Sequence, residues 1–169
     1  MPDIFPVGVS SPGNNKFVVY TAVVAPTAPT KAELLAGTDI TPYIPTTEFN
    51  ITVDQPKEDD TRWSDPTTRE EFGVAAFNAE EIAHIVSPQV AGTVSGNLAL
   101  GKIPANSSFY MAIRRGIDAD TAINTADLVD IFQVTTGEAW TAPLAQGKYL
   151  RRVKTSLTRL VENYPVPAS

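Results

Sequence analysis

Side chains that could carry out catalysis are scarce in this 169-residue sequence. His84 is the only histidine and there is no cysteine, which excludes a cysteine nucleophile, a disulfide framework and a thiolate metal site. A lone histidine cannot supply a zinc site of several imidazoles, and it more often packs or bonds locally than catalyses. There is also no phosphate-binding loop, nucleophile elbow or zinc-type spacing. The sequence therefore predicts a protein that is not an enzyme and has no cofactor.

Two short acidic runs carry the oxygen ligands that a divalent cation prefers. The run 58–60 lacks the glycine and the distal glutamate of a calcium loop, and Asp118 and Asp120 are only two acids in a predicted turn. The adjacent acids at 70–71 and 80–81 would point to opposite faces of a strand, so they are poor candidates for the paired carboxylates of a glycosidase. We therefore expect no specific metal site.

The overall charge argues against a protein that binds nucleic acid tightly through its phosphates. The net charge is −6, whereas binding to DNA phosphates requires a basic surface that releases counterions. An acidic protein can still lie beside DNA if its task is to let DNA pass without sticking.

The charge is unevenly distributed along the chain. Residues 53–71 hold seven acids and three bases, a net of −4, and residues 148–162 hold five bases and one acid, a net of +4. One interpretation is two solvated faces of opposite sign, and the other is that one segment docks on the other in a neighbouring copy. The basic residues assigned to such an interface are Arg151, Arg152, Lys154 and Arg159.

The elements that must position these charges are mostly strands. Residues 47–54 alternate between apolar and polar, which predicts a strand with one buried face. Segments 16–25, 107–115, 127–136 and 150–161 are also predicted strands, and frequent proline and glycine between them favours an all-β arrangement. Residues 78–86 fit either a helix or a strand.

The sequence predicts one helix whose two ends are both marked by capping residues. Thr30 and Glu33 form a capping box, and Gly37 ends the helix, so we expect a short helix near 31–36. Residues 97–104 have room for one further turn. The predicted fold class is therefore mainly β, an antiparallel β-sandwich with one short α-helix.

A long polar stretch, 55–69, follows the alternating strand. Its only large apolar residue is Trp63, and a structureless connection of this length is usually functional or disordered. Trp and Arg are enriched at interface hot spots, which favours an assembly loop over a mobile hairpin tip with a chance aromatic residue. The residues assigned to this loop are Glu58, Asp59, Asp60, Arg62, Trp63 and Asp65.

Several stretches in their order resemble the major tail tube proteins of siphophages, especially those of phages that infect actinobacteria. They are Ala32–Ile40, the polar residues of 54–62, the triplet 71–73, the triplet 87–89, the central strand 109–116 and the strand 127–134. The resemblance runs from about residue 30 to 162. The chain departs from the family in its ending, which has no glycine-containing hairpin.

The resemblance implies a subunit that polymerises as stacked hexameric rings, with inner strands closing into one barrel. The partners that it implies are other copies of the chain, a tape-measure protein, the tail terminator and distal tail proteins, and double-stranded DNA in passage, with no membrane. It implies a virion tail component assembled in the host cytoplasm, and a polar loop that reaches the adjacent ring. The acids expected to line the channel are Glu48, Asp54, Glu70 and Asp130.

The chain is predicted to hold one domain, 16–162, between an N-terminal extension, 1–15, and a proline-rich tail, 163–169. The longest apolar run, 17–25, is too short to span a bilayer, and the start lacks the pattern of a secretory signal. Other interpretations stay open: a head–tail completion or capsid decoration protein, a bacterial secretion tube protein of the same fold, or a small carbohydrate-binding or hydrolytic β-sandwich.

Overall fold

The computed structural model describes residues 12–21, 25–64, 67–143 and 148–168. Within these ranges the chain is mainly β, as predicted. The strands are β1 (Asn15–Tyr20), β2 (Thr38–Asp39), β3 (Thr52–Asp54), β4 (Lys57–Asp59), β5 (Glu70–Phe72), β6 (Ala76–Asn78), β7 (Glu81–Val86), β8 (Ser108–Arg115), β9 (Leu128–Pro143) and β10 (Tyr149–Pro165). The helices are α1 (Lys31–Ala36), α2 (Leu98–Lys102) and a 3₁₀ turn (Thr41–Tyr43).

Eight strands form one sheet in the order β2-β1-β8-β9-β10-β6-β3, and β7 pairs with β10 beside β6. All of these pairings are antiparallel. We call the end where β10 begins the lower end; Tyr149 lies opposite Val86 and Pro143 there. The upper end is where β10 finishes, with Pro165 opposite Leu128.

The sheet is covered on both faces. On one face, Met111 and Ile113 of β8 pack with Ala99 and Ile103 of the α2 region. On the other face, residues of β1, β8 and β9 pack with Leu34 of α1, Ile123 and Val166. This layered, antiparallel arrangement is consistent with the predicted β-sandwich.

The predicted helix is confirmed, together with its capping box. The Glu33 amide donates to the Thr30 hydroxyl at 3.2 Å, and the Thr30 amide donates to the Glu33 carboxylate at 2.7 Å. Gly37 follows the helix with an ordinary negative φ of −62°. Its role is steric, because a Cβ there would lie 2.4 Å from a methyl group of Val18. The glycine thus lets α1 approach β1 closely.

Strand lengths differ from the prediction where the chain enters or leaves the core. In 47–54 only β3 is a strand: Phe49 and Ile51 pack against the core from a loop, whereas Val53 is 56 % exposed. The chain leaves the core at this point. β1 ends at Tyr20, and residues 22–24 of the predicted strand lie outside the described residues. The ambiguous segment 78–86 contains strand β7, and the possible turn at 97–104 is α2.

Candidate assembly surfaces

The polar stretch 55–69 forms part of a long β-hairpin. Its base is the β3–β6 pair and its outer part is the β4–β5 pair. Two backbone hydrogen bonds continue the ladder, from the Gly73 amide to the Pro56 carbonyl at 2.8 Å and from the Asp60 amide to the Arg69 carbonyl at 3.1 Å. The register shifts by one residue between the two pairs, so a β-bulge lies opposite residues 55–56. We call residues 52–78 the hairpin.

The hairpin lies almost wholly in solvent. Of its described residues from 52 to 76, all are exposed except the half-buried Asp60 and Gly73. Trp63 is fully exposed near the tip, and Phe72 and Val74 are 68 % and 89 % exposed. Strands β4 and β5 pair only with each other in the described sheets. An arm that leaves the sheet with exposed apolar side chains is suited to contact another molecule.

Acids face acids across the outer part of the hairpin. Glu58 lies opposite Glu71 and Asp59 opposite Glu70, and directly opposed like charges destabilise a strand pair. Hydrogen bonds from Thr61 hold the pKa of Asp59 below its usual value, so this carboxyl is ionised at neutral pH. The hairpin fold itself therefore leaves electrostatic repulsion that a cationic partner would relieve.

Local ion pairs offset part of this charge. Lys57 contacts Glu70 at 2.8 Å and lies 5.8 Å from the centre of the Phe72 ring. Arg62 lies 3.9 Å from Asp60. Of the residues assigned to the assembly loop, Asp65 lies outside the described residues. The others lie on β4 or in the tip region that follows it, and their role in assembly stays a prediction.

Two of the basic residues of β10, Arg152 and Arg159, form ion pairs within the subunit. Arg152 contacts Glu48 at 2.8 Å and also contacts Glu81, and the Glu81 hydrogen bond raises the pKa of Arg152. Arg159 contacts Glu162 at 2.8 Å and lies 4.3 Å from the centre of the Phe77 ring. Their role as an intersubunit surface stays a prediction.

Lys148 and Lys154 are the most accessible cations of the basic segment. Both are exposed, and Lys154 lies 5.6 Å from the centre of the Trp140 ring. Of the two, Lys148 immediately precedes β10 at the lower end of the sheet.

The acids assigned to the channel are mostly paired. Glu48 contacts Arg152, Glu70 contacts Lys57, and Asp130 contacts Arg115. Asp130 also accepts a hydrogen bond from the Asn163 amide at 2.9 Å. Asp54 is exposed on β3 of the hairpin. Their position relative to a channel stays a prediction.

Arg114 is a buried charged residue that the sequence did not single out as functional. Arg114 is 1 % exposed, and its guanidinium donates to Asp127 and to the carbonyls of three loop residues at 2.8–2.9 Å. Those residues are Asp118, Thr121 and Ala122. Arg114 thus holds the loop 116–127 against the sheet. The alternation of β8, which places Arg114 on the same face as the buried Ala112, is a signal that could have found it.

His84, which the sequence indicated as a packing residue, is fully buried in β7. It lies opposite Arg151 on β10, and neither ring nitrogen has a hydrogen-bond partner among the described residues. Burial, with a smaller contribution from Arg151, lowers the pKa of His84 to about 4. His84 is therefore neutral at physiological pH and serves as part of the core.

Two grooves lie at opposite ends of the sheet. The upper-end groove, of 250 Å³, is lined by the start of β1 and the 41–49 segment, including Phe17, Ile44 and Phe49. The lower-end groove, of 410 Å³, is lined by residues 85–90 together with Lys148 and Tyr149.

Neither a metal cluster nor a membrane-crossing helix is found in the described part of the chain. No three acidic or histidine side chains there are arranged to hold an ion. None of the described helices is long and apolar enough to cross a membrane.

Comparison with known proteins gives one family match. A family model described as phage tail tube protein matches residues 1–169, the whole of the chain. A search of curated proteins found no match.

Proposed function

This chain belongs to the phage tail tube protein family, and we propose that it polymerises as stacked hexameric rings that form the conduit for DNA ejection. Membership makes it a structural component of the virion tail, one that assembles into a tube with other tail proteins. The finer proposal is a long, siphovirus-type tail, with assembly in the host cytoplasm around a tape-measure protein. The segments that resemble actinobacteriophage tube proteins support that assignment.

The observation that carries the proposal is the hairpin. A subunit that worked alone would gain nothing from an arm whose outer strands pair only with each other and whose opposed acids repel. In a ring-stacked tube the same arm gains a partner. A head-to-tail contact of this kind continues into a filament instead of closing.

Ring closure is supported by the edges of the sheet. In the described chain β7 pairs on one side only, with β10, and β1 is covered on its outer side by the two-residue strand β2. Exposed strand edges are liable to pair with other chains. Closing one sheet across six copies would remove these edges and give a barrel of strands around the channel.

The proposed channel is net negative. DNA must move through it without sticking, so the lining should repel phosphate and offer no continuous basic track. The net charge of −6 per chain supports this. Because Glu48, Glu70 and Asp130 are paired within the subunit, Asp54 is the strongest of the four assigned acids to contribute an uncompensated charge. The tail terminator and distal tail proteins are proposed to contact the two ends of the tube.

The charge asymmetry between the hairpin and β10 supports contact between neighbouring copies. Arg152 and Arg159 already pair internally, so reversing them would damage the fold as well as any interface. Lys148 and Lys154 are the better targets. Surface pairs contribute about 0.2–1 kcal/mol each, so their sum would set register and orientation more than overall affinity.

The test is electron microscopy of the purified chain at rising concentration and low salt. The proposal predicts tubes whose cross-section shows six subunits. Screening at high salt, where the Debye length falls to about 3 Å, is expected to slow their growth. Uniform small particles at every concentration would contradict the proposal and favour a different virion component.

A further inference from the structure

The hairpin tip and the lower-end groove are at opposite ends of the subunit. β6 runs antiparallel to β10, with Phe77 opposite Leu157. The chain therefore enters β6 from the direction in which β10 finishes, and the hairpin leaves the sheet toward the upper end. The lower-end groove lies where Tyr149 begins β10 and Val86 ends β7. A head-to-tail stack requires its two contact surfaces to be placed in this way.

The lower-end groove is held in shape by a buried amide. Asn97 is 1 % exposed, and its side-chain oxygen accepts a hydrogen bond from the Ser87 amide at 3.1 Å. Its side-chain nitrogen donates to the carbonyls of Ser87 at 3.3 Å and Val90 at 2.6 Å. These bonds fix the 87–90 turn that forms one wall, so the groove exists before any partner arrives and a ligand would not have to order it.

The lining of the groove fits an aromatic anchor flanked by acids. Tyr149 is 50 % exposed and Val90 is 39 % exposed, and Lys148 is an exposed cation beside them. Trp63 is a fully exposed aromatic side chain that follows the acids Asp59 and Asp60. Tryptophan in an apolar pocket is a frequent centre of binding energy, with complementary charge at the rim.

We infer that Trp63 of one copy docks in the lower-end groove of a copy in the adjacent ring, with Lys148 facing the acids of the hairpin. This inference rests on the proposed function, which supplies the second copy, and adds the surface that receives the hairpin.

The upper-end groove is another candidate receiver, but its position is wrong for a filament. It lies at the same end as the hairpin tip, since the start of β1 and Ala119 line it. A tip that bound there would join two copies by their upper ends. Such a contact is two-fold and closes on a pair of subunits, so it would not propagate a tube.

Cysteine cross-linking tests the inference, because the chain has no cysteine of its own. Ser64→Cys beside Trp63 is combined with Gln89→Cys in the lower-end groove, and the matched control combines Ser64→Cys with Thr46→Cys in the upper-end groove. Disulfides form only where the two Cα atoms come within about 7 Å. Oxidation of tubes assembled under reducing conditions is expected to give a ladder of linked chains longer than dimers with Gln89→Cys and none with Thr46→Cys.

Tubes that yield no ladder with Gln89→Cys, or that yield one with Thr46→Cys, would overturn the inference while leaving the proposed function intact. Failure of the unaltered chain to form tubes would instead count against the proposed function.

A second measurement does not depend on cross-linking. Trp63→Ala is expected to raise the critical concentration for tube formation by about 30-fold, the effect of losing a hot-spot side chain. The control Val74→Ala removes another exposed apolar side chain of the hairpin and should change it less than threefold. Equal effects of the two substitutions would contradict a specific role of Trp63.

Discussion

The loop around Arg114 and the outer part of the hairpin differ in whether their charged groups are paired within the subunit. Arg114 is buried, and its guanidinium donates to one carboxylate and three carbonyls of its own chain. The outer hairpin is exposed, and Glu58 and Glu71 face each other across it. One region pairs its buried charge within the subunit, and the other keeps part of its electrostatic repulsion.

This difference indicates that the Arg114 loop serves folding and that the outer hairpin serves assembly. A charge buried inside the subunit must be paired by its own chain, because burying an unpaired charge is costly. An exposed arm can keep uncompensated charge in water because the high dielectric constant weakens the repulsion. A cationic partner would remove the remaining repulsion on binding. We therefore expect changes around Arg114 to alter stability, and changes in the hairpin to alter polymerisation.

The largest expected effect is from Arg114→Met. The substitution keeps most of the volume but removes the ion pair with Asp127 and three hydrogen bonds to loop carbonyls, which should lower the free energy of unfolding by about 3–5 kcal/mol. Chemical denaturation of the unassembled subunit measures it. Arg115→Gln is the matched control: Arg115 is half exposed, so its loss should cost at most about 1 kcal/mol. Similar costs for the two would show that Arg114 does not hold the loop.

His84 makes the stability of the buried region depend on pH. Its pKa is lowered from 6.5 to about 4 in the fold, so the unfolded chain binds a proton that the folded chain does not between these values. The contribution of neutral His84 to the free energy of unfolding is fully present above pH 6.5. It falls by about 3 kcal/mol as the pH is lowered toward 4. Unfolding measured at several pH values should show this slope.

His84→Leu isolates that contribution. Neither ring nitrogen has a hydrogen-bond partner among the described residues, so leucine leaves no orphaned group at pH 7. The variant should be nearly as stable as the parent at pH 7 and lose less stability on acidification. If parent and variant keep the same difference in unfolding free energy from pH 7 to pH 4, His84 does not titrate as stated.

Glu71→Lys is expected to have two smaller effects of opposite sign, one on subunit stability and one on tube formation. Lysine opposite Glu58 replaces repulsion by attraction, so the unassembled subunit should gain about 0.2–1 kcal/mol. Tube formation should weaken, since the hairpin loses acidic charge. Glu80→Lys makes the same charge change at an exposed residue outside the outer hairpin and should leave assembly nearly unchanged. A variant that stabilises the subunit and also speeds assembly would contradict the role of the hairpin acids in assembly.

The pattern of apolar residues was enough to predict the core. The alternating segment 107–115 and the β-branched segment 127–136 both form central strands. Each was predictable because the spacing of apolar residues along a segment indicates which face is buried. The capping box at Thr30 was also decided locally, by two side chains three residues apart.

What could not be predicted depends on contacts far apart in the chain. Nothing near Arg152 indicates that Glu48, about a hundred residues away, pairs with it. The hairpin ladder in the polar stretch was missed because its strands have no apolar face; cross-strand backbone hydrogen bonds define them instead. The groove at 85–90 depends on Asn97, whose buried amide resembles any other asparagine in the sequence.

The most direct test of the account is to remove the hairpin and measure folding and assembly on the same protein. Asp54 lies opposite Ala76, so replacing residues 55–75 with Asn-Gly closes β3 and β6 by a two-residue turn. We expect an unfolding free energy within about 1 kcal/mol of the parent, because the outer hairpin is exposed and pairs with no other strand of the described sheets. The account also predicts that no tubes form by electron microscopy at concentrations where the parent assembles. A variant that forms tubes of normal stability, or one that no longer folds, would contradict it.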